Sequence, residues 1–323
     1  MKVAITGGTG FLGRRLAQSL LADGNLNGRP IDELVLFDSH IGGGEIDDAR
    51  VTVVIGELTD GGQVAGVVAD ADAVFHLAAV VSGQAEQDLD IGLKVNLDGT
   101  RHVLDACRAG GRVPLLIFTS SVAAYGGDLP QTINDATPLT PATSYGVQKV
   151  ACELLIMDFT RRGLIDGRSV RLPTVSVRPG KPNKAASGFA SGIAREPLSG
   201  IDFVCPVTPE SKMAILSPRR AVAALRWIAG LAGDELGHDR SVLLPGITVS
   251  MNDMVAAVRR AGGEEAAGRI TFRPDPVIQR IVDGWPQAID ARRATALGFE
   301  GDRHIDDVIA AFVADDLPFQ LTS

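Results

Sequence analysis

Tyr145 and Lys149 stand four residues apart in the run Tyr145-Gly146-Val147-Gln148-Lys149. On a helix that spacing puts both side chains on one face. An ammonium beside a phenol favours the phenolate and draws the hydroxyl's proton affinity toward neutral pH. Such a pair can take a proton from an alcohol or return one to a carbonyl oxygen. The pattern is common on its own, and an ordinary exposed Tyr/Lys pair has the same spelling. Only two tyrosines are present, Tyr125 and Tyr145. Upstream, Phe118-Thr119-Ser120-Ser121 closes an apolar run, and a serine hydroxyl at such a strand end can hold a substrate oxygen. The residues alone leave Ser120 and Ser121 both open for that role.

A second motif lies at the start of the chain. Thr6-Gly7-Gly8-Thr9-Gly10-Phe11-Leu12-Gly13 follows the apolar run Val3-Ala4-Ile5 and opens a stretch with leucines at helical spacing. Gly7 permits a tight turn, Gly10 lets the backbone approach a pyrophosphate, and Gly13 allows close packing of helix on strand. The helix start at Phe11 and Leu12 offers free N–H groups to the phosphates. The spacing is G-x-x-G-x-x-G, and a lone glycine-rich turn is weak evidence. Strand, turn and helix are joined here by Asp38, which ends the next apolar run. A carboxylate there accepts both ribose hydroxyls of NAD and repels the 2′-phosphate of NADP. The residues that follow are Ser39-His40-Ile41, with no arginine among them. NAD is the expected cofactor.

These groups need a frame, and the apolar runs supply one. Leu34 to Phe37, Val51 to Ile55, Ala73 to Leu77, Leu115 to Phe118 and Val170 to Val177 read as further strands. Helical stretches run over about 90–108 and 144–162. This alternation predicts an α/β fold: a doubly wound parallel Rossmann sheet with right-handed crossovers. Two prolines and a glycine in Arg178-Pro179-Gly180-Lys181-Pro182 end the sheet pattern. Arg219 to Leu231 reads as a helix, Val242 to Leu244 as a late strand, and Ser250 as a helix N-cap. The expected NAD-binding Rossmann domain is 1–178 plus about 214–245. A smaller substrate-binding lobe is expected from 179–213 plus 246–323.

The chain has 323 residues and a formal net charge of −8, which argues against nucleic acid and anionic membrane as partners. No apolar stretch is long enough to span a bilayer. The three cysteines, Cys107, Cys152 and Cys205, lack metal-ligand spacing, so no metal is expected and the thiols read as reduced. With no signal-peptide pattern at the start, a cytoplasmic location is the expectation. His76 reads as a strand-end residue and the acidic run Glu86 to Asp90 as a solvated loop.

Taken together, Thr6 to Gly13, His76-Leu77-Ala78-Ala79, Asn96, Phe118 to Ser121 with Tyr125-Gly126, and Tyr145 to Lys149 resemble the extended short-chain dehydrogenase/reductase superfamily. The likeness covers roughly the first 180 residues. It implies Ser121 as the catalytic serine, since Ser121 stands four residues before Tyr125. It implies Tyr145 as acid/base and Lys149 as ribose ligand and modulator of the tyrosine. Leu77, Ala78 and Ala79 would pack along the cofactor, Pro173 and Val175 would lie by the nicotinamide, and Asn96 would steady a helix kink or a water relay. Members of the family commonly form homodimers through the two long helices.

The superfamily holds several chemistries, and its Rossmann half does not choose among them. Arg178, Lys181 and Lys184 lie within seven residues just past the sixth strand and could bind a carboxylate or a phosphate. The stretch Val177 to Leu198 resembles a narrower group of the family. That likeness implies a small sugar acid as substrate: the C2 hydroxyl of D-erythronate would be oxidised to the 2-oxo acid. One of the three cations would clamp the carboxylate, and Ser82 is a further contact for substrate hydroxyls. A nucleotide-sugar epimerase is the alternative. A dehydratase fits poorly, because Val122 stands where an acidic residue is needed. A non-catalytic NAD sensor is the alternative of another class, although such proteins often lose the tyrosine or lysine that this chain keeps.

Overall fold

Strands that are apolar throughout belong where both faces are covered, and the chain puts its central ones there. Val51–Ile55, at the edge, leaves Val53 and Ile55 half exposed. The computed structural model describes residues 1–42, 44, 46–180 and 187–320, in two compact units. The first comprises 1–124, 143–171 and 222–242. Its elements run β1 (Lys2–Thr6), α1 (Phe11–Asp23), β2 (Glu33–Asp38), β3 (Val51–Ile55), α2 (Gly61–Val68), β4 (Ala73–His76), α3 (Ser82–Gln87) and α4 (Leu89–Gly92). A π-turn (Leu93–Asp98) leads into α5 (Gly99–Ala109), followed by β5 (Leu115–Ser121), α6 (Ser144–Arg161), β6 (Asp166–Leu172), α7 (Pro218–Gly230) and β7 (Ser241–Leu243).

The seven strands form one sheet in the order β7-β6-β5-β4-β1-β2-β3. The pairs β1–β2, β1–β4, β2–β3 and β4–β5 are parallel. Val3, Ala4, Ile5, Val74 and Phe75 are wholly inaccessible, as central strands of a sheet covered by helices must be. Val64, Val67, Val103, Leu104 and Ile156 from α2, α5 and α6 pack with Val35, Val74 and Leu116 of the sheet. This is the doubly wound Rossmann arrangement. Chain order reverses between β1 and β4, so a crevice for a dinucleotide opens beyond the carboxyl ends of those strands. Register places Thr6 beside both Phe37 and His76, and His76 beside Phe118.

Two sequence expectations change. The sixth strand starts at Asp166 and stops before Pro173, not at Val177, because proline has no N–H for a ladder. The segment Glu86 to Asp90 is largely helical, in α3 and α4, and not a loop.

The second unit comprises 125–142, 172–221 and 243–323. Beyond the stretches expected for a substrate lobe it takes in 125–142, 172–178, 214–221 and 243–245, which were expected in the NAD-binding domain. A three-stranded sheet (Thr174–Val175, Lys212–Leu216, Ile247–Ser250) and helices Gly188–Leu198, Met251–Gly268 and Ile305–Asp315 enclose its core. Phe189, Ile193, Met213, Met254, Val308 and Phe312 fill that core. Ser250 caps its helix as expected: its hydroxyl accepts from Asp253 N at 3.1 Å, and the Asp253 carboxylate accepts from Ser250 N at 2.8 Å.

Candidate active site

The glycine-rich turn is built from backbone alone. Gly7 has φ +70°, and a Cβ there would lie 2.8 Å from Ala78 N. A Cβ on Gly13 would lie 2.1 Å from Gly7 O. Gly7 N and Gly8 N donate to Phe37 O at 2.8 and 3.2 Å, which pins the turn to β2. Gly10 is the N-cap of α1; no side chain caps the helix and no acidic residue sits in its first turn. The first-turn N–H groups and the positive end of the helix dipole are thus available to an anion. Asp38 Oδ2 accepts from Thr9 N at 3.2 Å and lies 4.0 Å from where a Gly10 Cβ would be. N–H donors for a pyrophosphate and a carboxylate acceptor for ribose hydroxyls therefore adjoin, and these residues fit NAD. Phe11, the first residue of α1, carries the Arg15 guanidinium 5.1 Å over its ring.

Leu77, Ala78 and Ala79 leave β4 half-buried beside this turn. Leu77 N donates to Thr6 O at 3.1 Å and Ala78 N to Thr6 Oγ1 at 3.3 Å. Asn96 is buried in the π-turn, and its side chain grips Val80 at both ends: Oδ1 accepts from Val80 N at 2.9 Å, and Nδ2 donates to Val80 O at 3.3 Å. The half-buried Ser82 begins α3.

Ser121 ends β5, and its hydroxyl accepts from Ala123 N at 3.1 Å in the 3₁₀ turn that packs on α6. Thr143 caps α6 by accepting from Gly146 N at 3.1 Å, which starts the helix immediately before Tyr145. Lys149, one turn on, is 2% exposed. Its Nζ donates to Thr119 O at 2.7 Å and sits 4.4 Å from the Phe118 ring centroid and 5.5 Å from that of Tyr145. Burial pulls Lys149 down to about 8, with Cys152 and Glu153 holding it up. Serine, tyrosine and lysine thus come from the end of β5 and one face of α6. The Ser120 hydroxyl is buried with no hydrogen-bond partner among the described residues, which separates it from its neighbour.

Pro173, Val175 and Arg178 belong to the second unit. Arg178 N donates to Ser191 Oγ at 3.0 Å, and its carbonyl accepts from Arg195 Nη1 at 2.8 Å. Lys181 and Lys184 lie outside the described residues. Cys107, Cys152 and Cys205 are buried free thiols that burial pushes up, Cys107 to about 12 and Cys205 to about 11. None has the lowered pKa of a thiol nucleophile. Among the described residues no cluster could hold a metal ion.

Sequence reading placed His76 at a strand end, where it lies, but gave no role to it or to Gln148, and both are buried. His76 bonds through both ring nitrogens, and Gln148 Oε1 accepts from Asn96 Nδ2 at 2.7 Å. Gln148 carries one signal, an amide on the helix face that Tyr145 and Lys149 define as inward.

The NAD dependent epimerase/dehydratase family model matches residues 3–208. The chain is 53% identical to a D-erythronate dehydrogenase of Cupriavidus necator, covering 98% of both chains. It is 44% identical to a D-erythronate dehydrogenase of Haemophilus influenzae, covering 98% of this chain and 100% of that one. Among solved structures, a nucleoside-diphosphate-sugar epimerase from Agrobacterium tumefaciens superposes with a TM-score of 0.94 at 40% identity, covering 99% of this chain and 96% of the other.

Proposed function

The chain belongs to the NAD dependent epimerase/dehydratase family, and on that premise we propose that it oxidises the C2 hydroxyl of D-erythronate to 2-oxo-D-erythronate, with NAD as acceptor. It is an NAD-dependent dehydrogenase. The observation that carries the substrate is near-full-length likeness to two D-erythronate dehydrogenases.

In the proposed mechanism Tyr145, as phenolate, takes the proton of the C2 hydroxyl. The Ser121 hydroxyl donates to the same oxygen and fixes it as the C–O bond becomes C=O. The Lys149 ammonium, anchored on Thr119 O, stabilises the phenolate and would also donate to ribose hydroxyls. NAD, when bound, would supply the hydride acceptor for C2. Gly7, Gly10, Gly13 and the first turn of α1 at Phe11 and Leu12 would hold its pyrophosphate, and Asp38 its ribose. Leu77, Ala78, Ala79 and Asn96 would line it, with Pro173 and Val175 by the nicotinamide. One of Arg178, Lys181 and Lys184 would clamp the substrate carboxylate, and Ser82 a hydroxyl. A cytoplasmic location belongs to the same proposal; no helix among the described residues is long and apolar enough to cross a membrane. Exposed Leu89, Leu93, Val147 and Leu154 on the two long helical stretches support a homodimer.

The test is NADH formation with NAD and D-erythronate, run beside L-threonate, L-threonine and UDP-glucose. Selective turnover of D-erythronate is expected. Silence there together with interconversion of nucleotide sugars would replace the proposal by the epimerase reading, which the Agrobacterium structure favours. Tyr145→Phe should cut kcat by about 10²- to 10⁴-fold while NADH binding changes little. A fully active variant would remove Tyr145 from proton transfer.

A further inference from the structure

His76 closes β4 and is 1% exposed. Its Nδ1 lies 2.6 Å from Thr6 Oγ1, and its Nε2 2.9 Å from Thr100 Oγ1. The order of donors along this chain follows from one hydroxyl. Thr100 has a single O–H hydrogen and gives it to Asn96 O at 2.6 Å. Toward His76 it can only accept, so the ring proton sits on Nε2. Nδ1 is then an acceptor and receives the Thr6 hydroxyl hydrogen. The Thr6 oxygen in turn accepts from Ala78 N at 3.3 Å. One arrangement satisfies every partner from the Ala78 amide to the Asn96 carbonyl.

Both ends of this chain lie at the candidate site. Thr6 and Ala78 border the glycine-rich turn, where Ala78 N meets the place of a Gly7 Cβ. Asn96 holds Val80 and donates to Gln148 Oε1, and Gln148 stands between Tyr145 and Lys149 on α6. A buried histidine whose role was to fill the core would need satisfied nitrogens only. Here one nitrogen engages the strand that leads into the glycine-rich turn and the other the helix that follows the π-turn of Asn96.

We propose that His76 is a positioning residue for the dehydrogenase reaction: with its proton on Nε2, it ties the cofactor-binding turn to the π-turn of Asn96 and thence to the catalytic helix. The proposal rests on the reading of the site given above. Burial and the Lys149 ammonium together push His76 down to about 3, so the ring is neutral at working pH. A second ring proton would displace the Thr6 hydrogen and add a charge beside Lys149.

Asparagine at this position can present an oxygen near the place of Nδ1 and keep the Thr6 bond; glutamine can present an N–H near the place of Nε2 and keep the Thr100 bond. His76→Asn should therefore keep NADH affinity within about twofold and lose turnover about tenfold or more. His76→Gln should weaken NADH about tenfold, because the Thr6 hydroxyl loses its buried acceptor. In the wild-type protein, nitrogen NMR of the histidine rings should show His76 in one neutral form, protonated on Nε2, between about pH 5 and 8. A ring proton on Nδ1 overturns the proposal. So do two variants that lose stability alike yet keep NADH affinity and turnover per folded molecule. Should the wild type bind NADH but leave D-erythronate untouched, the substrate reading falls, and the tie is decided by the ring proton and the affinity split.

Discussion

At the scale of single residues, the candidate site rests on two contiguous runs and on groups far apart in the chain. Gly7 to Gly13 and Tyr145 to Lys149 carry their spacing in the chain itself. The role of His76 was not legible, because its partners Thr6 and Thr100 lie 70 and 24 residues away and neither is a type that announces chemistry. Two predictions belong here. Asp38→Ala removes the acceptor beside Thr9 and Gly10, so the KM for NAD should rise and discrimination against NADP should fall. Unchanged discrimination would exclude Asp38 as the ribose partner. Lys149 is held at about 8 in the folded protein against 10.5 for the free side chain. Between those values the unfolded chain binds more protons than the native one, so the contribution of Lys149 to stability rises with pH across that window. The unfolding free energy of wild type minus that of Lys149→Met, measured in urea at several pH values, should increase from about pH 8 upward. A flat difference would mean that Lys149 is not desolvated.

Elements that are apolar throughout were read directly, whereas those whose charges are satisfied inside the fold were not. The run Asp166-Gly167-Arg168-Ser169-Val170-Arg171-Leu172 looks too polar for a central strand, yet it is β6. Arg168 Nη1 donates to Ile228 O at 2.8 Å and Leu231 O at 2.6 Å at the C-terminal end of α7. Arg171 forms a fork with Glu153, Nη2 to Oε2 at 2.6 Å and Nε to Oε1 at 3.0 Å. No local pattern reports either partnership. In the long helical stretch after β4 only the family resemblance implied a kink at Asn96, because the π-turn that aims Asn96 inward has no sequence period of its own. The packing of α1 on the turn gives the prediction at this scale. Gly13→Ala sets a methyl 2.1 Å from Gly7 O with Gly8 backbone beside it, so nothing nearby yields cheaply. Urea unfolding should show a loss of about 1–3 kcal/mol, and NADH titration a matching loss of affinity. Gly66→Ala in α2 meets no atom within 4 Å and is the control. It should gain about 0.5–1 kcal/mol through helix propensity and leave NADH binding alone. Equal behaviour of the two would contradict the close packing assigned to Gly13.

The whole molecule presents a surface of net charge −8 on which large apolar side chains stand out. Val147 and Leu154, seven residues apart on α6, are 53% and 54% exposed, and Leu89 on α4 is 56% exposed. An apolar stripe on two neighbouring helices is costly to leave in water, and the proposed homodimer would bury it against its own copy across a two-fold axis. Burying each such side chain contributes about 1.5 kcal/mol or more. The stripe leaves the catalytic face clear, since Lys149 is 2% exposed on the inward side of the same helix. Val147→Glu combined with Leu154→Glu places four carboxylates at the proposed two-fold contact. Analytical ultracentrifugation should find the wild type dimeric and the double variant monomeric at the same concentration. NADH affinity should survive in that monomer, because the turn, Asp38 and the β4 loop all belong to one unit of one chain. A wild type that sediments as a monomer would remove the dimer from the proposal. A monomeric variant that no longer binds NADH would show that the pair of subunits, and not the single chain, holds the crevice in shape.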